Sequence, residues 1–449
     1  MMKTARQIAL DVLCRVEEDG AYSAIAFDKA AQAAGLKPQD TAFAAALVYG
    51  VLERRITLDW RLNPYLKKGV KALDCAVRNA LRIGVYELCH MESVPDRAAV
   101  NEAVSLVRYA KKASAAGMVN AILRGFIRDE KPLRLPDRKK QFDRHLSVKY
   151  GIPEWLIKQW RTQYGAEEAE HLAETTLSRP PLYARVNTLK TSADALIETL
   201  RAEGVQAQKH PWLDNCLILS QTGSIDALKA YHDGLFYIQD LSSQVCAYTL
   251  GAKPGDTVLD ICAAPGSKGF TTAQYMENRG TVLSFDLYEH KCRLIEQGAK
   301  RLGISVIQAD IRDGATDSRE LPMADRILCD VPCSGLGIVR RKPEIRFRSE
   351  ESVNELPELQ YRILCNAARF LKPGGVLIYS TCTTNKNENE AVVKRFLKEN
   401  NWASPLQFTP LSDTIDIIEN FMATLLPHRT GSDGFFFAAL TRKEEPCKE

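Results

Sequence analysis

The sequence predicts three regions of different class in one chain: an all-α N-terminal domain, a small α+β subdomain, and a C-terminal α/β domain built on a doubly wound, mostly parallel sheet. Apolar residues recur at helical spacing through the first part of the chain, with few β-branched alternations between the stripes. Past Arg179-Pro180-Pro181 the texture changes to short strands around a helix, and from about Gln239 apolar β-type runs alternate with helical segments. A chain of 449 residues with 45% hydrophobic content supports about three packed cores, at roughly 150 residues each.

Taken in order, Ala5, Ile8, Ala9, Val12, Leu13 and Val16 form one buried helical stripe between Thr4 and Glu18. Similar stripes over Thr41 to Leu52, Asp74 to Leu88, Ala98 to Tyr109 and Ala116 to Ile127 complete an expected helical domain of residues 1–135. Pro132, Pro136 and the basic cluster Arg138, Lys139 and Lys140 read as a linker, followed by a helix over Trp155 to Tyr164. The second region, residues 136–235, adds strands at Tyr183 to Asn187, Cys216 to Leu219 and Leu235 to Ile238, with a helix over Ala193 to Glu203. In residues 236–445 the runs Val258 to Ile261, Thr281 to Phe285, Val306-Ile307, Arg326 to Leu328 and Val376 to Tyr379 carry the βαβα signature of a Rossmann-like sheet. Phe435 to Leu440 is expected as a terminal antiparallel strand.

Several classes are excluded. No apolar run approaches the roughly 20 residues of a membrane span, and Asp11, Arg15 and Glu17 interrupt any secretory h-region, so a cytoplasmic protein without a membrane partner is expected. The twelve cysteines, Cys14 to Cys447, include no C-x-x-C pair, which argues against a disulfide scaffold and against a metal site. The net charge of +4 conceals an asymmetry: residues 1–150 carry +9 and the remainder −5. A basic front suits a polyanion such as nucleic acid, although a solvated surface accounts for the same charges equally well.

Ligands of open α/β sheets sit beyond the carboxyl ends of the strands, and four acids lie at or near such ends here: Asp260, Asp286, Asp310 and Asp330. Asp260 is followed by the turn Cys262-Ala263-Ala264-Pro265-Gly266-Ser267-Lys268, whose glycine lets backbone approach a ligand, and an acid after the second strand is placed for ribose hydroxyls. No G-x-G-x-x-G opens a helix and no G-x-x-x-x-G-K-[ST] is present, so dinucleotides and nucleoside triphosphates are disfavoured. A phosphate-free nucleoside cofactor, S-adenosylmethionine, is the expectation.

Two cysteines follow successive strands, in Asp330-Val-Pro332-Cys333-Ser-Gly335 and Tyr379-Ser-Thr381-Cys382-Thr. Carbon 5 of cytosine is not nucleophilic until a thiolate adds at carbon 6, and Asp330 suits a hydrogen bond or proton transfer at ring N3. Either thiol fills the first role on this pattern.

Asp260 to Lys268, Asp330 to Gly337, Tyr379 to Thr383 and Gly431-Ser-Asp-Gly434-Phe-Phe resemble successive motifs of the Nol1/Nop2/Sun family of RNA cytosine-5 methyltransferases. Arg78 to Leu88, Ala98 to Val104 and Val119 to Arg124 resemble the NusB-type RNA-binding helical domain, a combination similar to bacterial 16S ribosomal RNA methyltransferases. The resemblance implies methylation of a 16S rRNA cytosine at carbon 5, with Cys382 as nucleophile and Cys333 assisting product release. It implies cofactor contacts from Cys262, Ala263, Ala264, Pro265, Gly266, Ser267, Lys268, Asp286, Asp310 and Asp330, and RNA-phosphate contacts from Arg340, Arg341 and Lys342. A monomer is expected.

The chain departs from the family's Pro-Gly-Gly-Lys-Thr loop, which stands here as Pro265-Gly266-Ser267-Lys268-Gly269. Ser267 requires negative φ, and Gly269 removes a hydroxyl near the start of the following helix. A non-catalytic RNA-binding assembly factor and a small-molecule methyltransferase are the competing readings; cofactor calorimetry separates the first, and salt-dependent binding of rRNA fragments the second.

Overall fold

The computed structural model describes residues 3–444; Cys447 and the expected domain end at 445 lie outside them. The chain forms two compact units, one of residues 1–178 with 339–348, the other of 179–338 with 349–449.

The first unit is helical: α1 (Ala5–Glu18), α2 (Ser23–Ala34), α3 (Pro38–Leu62), α4 (Cys75–His90), α5 (Asp96–Tyr109), α6 (Ala116–Arg128), α7 (Phe142–Tyr150), α8 (Glu154–Tyr164) and α9 (Ala166–Thr175). Thr4 opens α1 with a capping box, accepting from the Gln7 N–H while its own N–H reaches the Gln7 side chain. All six residues of the predicted α1 stripe are buried. The alanine-rich α2, burying only Ser23, Ala26, Phe27 and Ala31, has no stripe wide enough to announce it. Across the core, Glu17 of α1 accepts from Arg78 (2.9 Å) and Arg82 (2.8 Å) of α4, and Arg82 also grips Asp59 of α3 through two bonds of 2.7 and 2.8 Å.

Residues 136–178, expected with the second region, fold with the first. Thr57 of α3 donates to the Val148 carbonyl (2.7 Å), and Trp60 donates to the Arg134 carbonyl (2.8 Å), so the presumed linker is fastened to α3. The strap 339–348 completes this unit. Its Arg346, fully buried, donates to the carbonyls of Glu53 (2.6 Å), Tyr150 (3.2 Å) and Thr176 (2.9 Å). Burial lowers this guanidinium to about 10, offset in part by the charge of Glu53. Glu344 caps α2 by accepting from the Ser23 N–H and hydroxyl.

The second unit contains two sheets. The smaller pairs β1 (Leu182–Val186), β2 (Gln206–His210), β3 (Leu213–Ser220) and β4 (Phe236–Ile238) in the order β2-β3-β1-β4, all antiparallel. The helix Ala193–Ala202 packs its buried Leu196 and Leu200 in this core. β2 is an edge strand of exposed polar residues, which gave no alternation to read.

The larger sheet holds β5 (Thr257–Ile261), β6 (Thr281–Asp286), β7 (Ile307–Ile311), β8 (Ala324–Asp330), β9 (Leu371–Thr381), β10 (Ala403–Pro405), β11 (Asp416–Ile418), β12 (Met422–Leu425) and β13 (Phe435–Arg442). Its order is β11-β12-β13-β9-β8-β5-β6-β7, with β10 also on β13. The pairs from β9 to β7 are parallel, whereas β13 runs antiparallel to β9, as expected for the last strand. β7 begins where the sequence expectation for it ends, so Asp310 lies inside the strand rather than beyond it.

Candidate active site

β5 and β8 are neighbours although the chain visits β6 and β7 between them, so strand order reverses at this pair. Asp260 is the penultimate residue of β5, while Asp286 and Asp330 end β6 and β8. The sheet thereby gathers three of the four predicted acids around the switch point. Asp310, the fourth, is exposed and faces Arg319 at 3.4 Å.

The turn after β5 has a shape that its residues dictate. The N–H groups of Cys262 and Ala263 both donate to the Phe285 carbonyl (3.1 and 2.7 Å), Cys262 takes φ +91°, and the Ala264–Pro265 peptide is cis. Gly266 has φ +104°, and a Cβ there would lie 2.5 Å from the Phe270 ring, so glycine is required twice over. The helix Ser267–Tyr275 starts at once. Ser267 is therefore helical and carries its Cβ without strain, while Gly269 lies in the first turn rather than at the start. A Cβ at Gly269 would stand 3.0 Å from Asp260 Oδ2.

Lys268 points back to Asp330, with Nζ 2.7 Å from Oδ2; Oδ1 of the same carboxylate accepts from Ser380 of β9 at 2.7 Å. The register makes this contact, since Asp330 and Ser380 are partners across the parallel β8–β9 ladder. Burial opposes the Lys268 charge, but Asp330 outweighs it and holds the ammonium well above its ordinary value. Asp260 shows the opposite balance: it is buried, neither oxygen has a hydrogen-bond partner among the described residues, and burial reinforced by Asp330 raises it to about 7. Asp286 is buried against Lys291 at 3.2 Å.

Cys333 and Cys382 bring their sulfurs to 3.1 Å, well beyond the ~2.05 Å of a disulfide. Both are half-buried. The Cys333 thiol is pushed well above its ordinary value by its hydrogen bond to Cys382, by burial, and by the charges of Cys382 and Glu388. Two glycines lock the turns together: Gly337 N–H donates to the Cys382 carbonyl (3.0 Å) and Gly434 N–H to the Gly337 carbonyl (2.9 Å). The crossing is too close for any side chain, because a Cβ on Gly337 would meet the Gly434 carbonyl at 1.9 Å.

Arg340, Arg341 and Lys342 fold with the first unit. Arg340 is buried, Arg341 half-buried, and Lys342 is exposed with Nζ 6.0 Å from the Tyr22 ring centre. Sequence reasoning missed the turn after Cys382. Nothing between Thr383 and Gly431 stands out in the sequence, yet Thr383, Asn385, Glu388 and Asn389 are all buried. Their only sequence signal is Glu388 flanked by two asparagines, which is no signal of burial.

Comparison with known proteins supplies what geometry does not. Residues 3–128 match the NusB family, residues 152–226 a ferredoxin-like domain of RsmF/B-like methyltransferases, and residues 247–441 the 16S rRNA methyltransferase RsmB/F model. The probable ribosomal RNA small subunit methyltransferase B of Bacillus subtilis is 35% identical over 99% of this chain and 100% of its own length.

The chain belongs to the RsmB/F family of 16S rRNA methyltransferases.

Family membership carries S-adenosylmethionine as the methyl donor. The residues present fit it. A sulfonium and an ammonium suit the carboxyl groups that Asp260, Asp286 and Asp330 gather at the strand ends, and a carboxylate suits the first turn of Ser267–Tyr275, which has no side-chain cap. Among solved structures, PH0851 covers 98% of this chain at 25% identity with a TM-score of 0.83. A methyltransferase homologue from Pyrococcus horikoshii covers 69% at 29% identity with a TM-score of 0.59. No helix of the described residues is long and apolar enough to cross a membrane.

Proposed function

We propose that the chain methylates carbon 5 of a cytosine in 16S rRNA, in the cytoplasm, through a covalent bond between Cys382 and carbon 6 of the base. The carrying observation is the thiol pair, two sulfurs 3.1 Å apart at the ends of neighbouring strands β8 and β9, beside the Lys268–Asp330 ion pair. When bound, S-adenosylmethionine supplies an electrophilic methyl group. The Cys262–Lys268 turn, Asp286 and Asp310 would hold it, with Asp330 between cofactor and base.

The Cys382 thiolate adds to carbon 6, forming the S–C6 bond and moving the ring electrons to carbon 5 and N3. Asp330, positioned by Lys268 and Ser380, acts here in its protonated form: its O–H is donated to N3 as charge accumulates there, leaving the carboxylate paired with Lys268, and the proton returns to it when the ring electrons flow back. After methyl transfer solvent water, acting as general base, takes the carbon 5 proton, the C–H electron pair re-forms the C5–C6 double bond, and the S–C6 bond breaks so that Cys382 leaves as a thiolate, with Cys333 assisting release. The base must leave its stack to reach the thiols. Lys342, exposed in the strap, and the basic first 150 residues would contact RNA phosphate, whereas the expected contact from Arg340 is not available because that side chain is buried.

Cys382→Ala is expected to abolish methyl transfer while calorimetry still detects S-adenosylmethionine binding. Cys333→Ala is expected to accumulate a protein–RNA adduct that survives denaturing electrophoresis. Wild-type turnover in Cys382→Ala refutes the assignment of roles.

A further inference from the structure

We infer that Glu388 is the positioning residue of the thiol pair, one carboxylate that ties together the turns carrying Cys333 and Cys382 and so divides their labour. Glu388 is fully buried, and both its oxygens are occupied. From the Cys333 turn, Ser334 donates its N–H to Oε2 (2.8 Å) and its hydroxyl to Oε1 (2.5 Å). From the Cys382 turn, Asn385 donates to Oε1 at 3.0 Å, with the Thr383 hydroxyl at 3.4 Å. Gln360 donates to Oε2 at 2.9 Å while its amide also holds the Pro332 carbonyl at 3.0 Å. The donors thus come from the residue next to each cysteine and from a third element, the helix Leu356–Ala368. The Glu388 backbone is fixed too, its carbonyl accepting from Tyr379 at 2.6 Å.

A carboxylate suits this place because every partner is a donor and only an acceptor on both oxygens satisfies them all. Its charge also lies on one side of the pair. Among the titratable groups that act on Cys333 are Cys382 and Glu388, both of which favour its protonated form, and the buried Tyr379 lies within reach of the same sulfur. Lys268, a cation, interacts with Cys382. Glu388 therefore lies where its charge holds the Cys333 thiol protonated, while its hydrogen bonds set where that thiol stands relative to Cys382.

This inference rests on the covalent mechanism above, and the test separates the two. Glu388→Gln keeps the volume but sets an NH2 against donors and removes the charge. We expect kcat to fall about 100-fold, the scale of a displaced catalytic group, with the S-adenosylmethionine Kd and the RNA KM within about twofold of wild type. Thiolates alkylate and thiols do not, so with iodoacetamide at pH 8 read by peptide mass spectrometry the ratio of Cys333 to Cys382 labelling should rise at least ~3-fold in Glu388→Gln over wild type, because the charge that holds Cys333 protonated is gone. Glu388→Asp, which keeps the charge, should bring that ratio part of the way back to wild type. Ser334→Ala, a milder change that folds if Glu388→Gln does not, should reduce kcat about 5- to 10-fold by loosening one tie. Unchanged kcat and an unchanged labelling ratio in both Glu388→Gln and Ser334→Ala overturn the inference. If those variants behave as expected but Cys382→Ala remains active, the covalent reading fails; if Cys382→Ala is dead and the Glu388 and Ser334 variants are normal, only the role of Glu388 fails.

Discussion

Replacing Asp260 by asparagine should flatten the pH dependence of the second unit's stability. In the folded chain this carboxyl is raised from its ordinary 3.8 to about 7, chiefly by burial. The folded state therefore holds the proton more tightly than the unfolded state. Its stabilising contribution is complete below pH 3.8 and is lost as pH climbs through 7. A displacement of about three pKa units corresponds to about 4 kcal/mol, of which about 2.5 kcal/mol falls between pH 5 and pH 8. Asparagine keeps the shape and cannot ionise. Urea unfolding followed on the transition of residues 179–338 and 349–449, at pH 5, 6, 7 and 8, gives the difference between wild type and Asp260→Asn at each point. That difference should shrink by about 2.5 kcal/mol in favour of the variant as pH rises. Parallel profiles, with a constant difference within about 0.5 kcal/mol, refute the account of a buried, unsolvated carboxyl at the sheet's switch point.

A hydroxyl in the first turn of the helix Ser267–Tyr275 should reverse part of that effect. Gly269→Ser brings a donor close to Asp260 Oδ2, lowering the midpoint of the same pH curve provided the carboxylate gives way by a few tenths of an ångström from the 3.0 Å approach. Gly337→Ala should cost at least about 3 kcal/mol in urea unfolding, because its Cβ lands on the Gly434 backbone, and activity should fall with it as the Cys382 turn moves. Arg346→Met should destabilise the first unit by about 3 kcal/mol, since carbonyls of Glu53, Tyr150 and Thr176 lose their donor together. Lys342→Ala should leave methyl-donor affinity unchanged and reduce the salt slope of RNA binding by about 1.

What the sequence revealed depended on whether a residue's role is local. Stripes of period 3.6 identified α1, α4, α5 and α6, because each helix buries one face. The alanine-rich α2 and the short α7 and α9 bury too few large residues to print such a pattern. Runs of β-type residues located the parallel strands, and the acids ending β6 and β8 were visible as acids after apolar runs. The pairing of Lys268 with Asp330 was not, since only the β5–β8 adjacency brings them together. Least visible was the buried turn from Thr383 to Asn389. Composition equates polarity with exposure, and there polar groups satisfy one another inside the protein.

The strap that carries Arg346 has a consequence for synthesis on the ribosome. A nascent chain that has emerged as far as Ser178 owns α1 to α9 but not the guanidinium that closes the gap between Glu53, Tyr150 and Thr176. That group is translated only after β5 to β8 of the other unit, so N-terminal folding cannot finish before much of the C-terminal sheet exists. Translation order and folding order are interleaved, and a gene fragment ending at Ser178 encodes a helical body with an open seam.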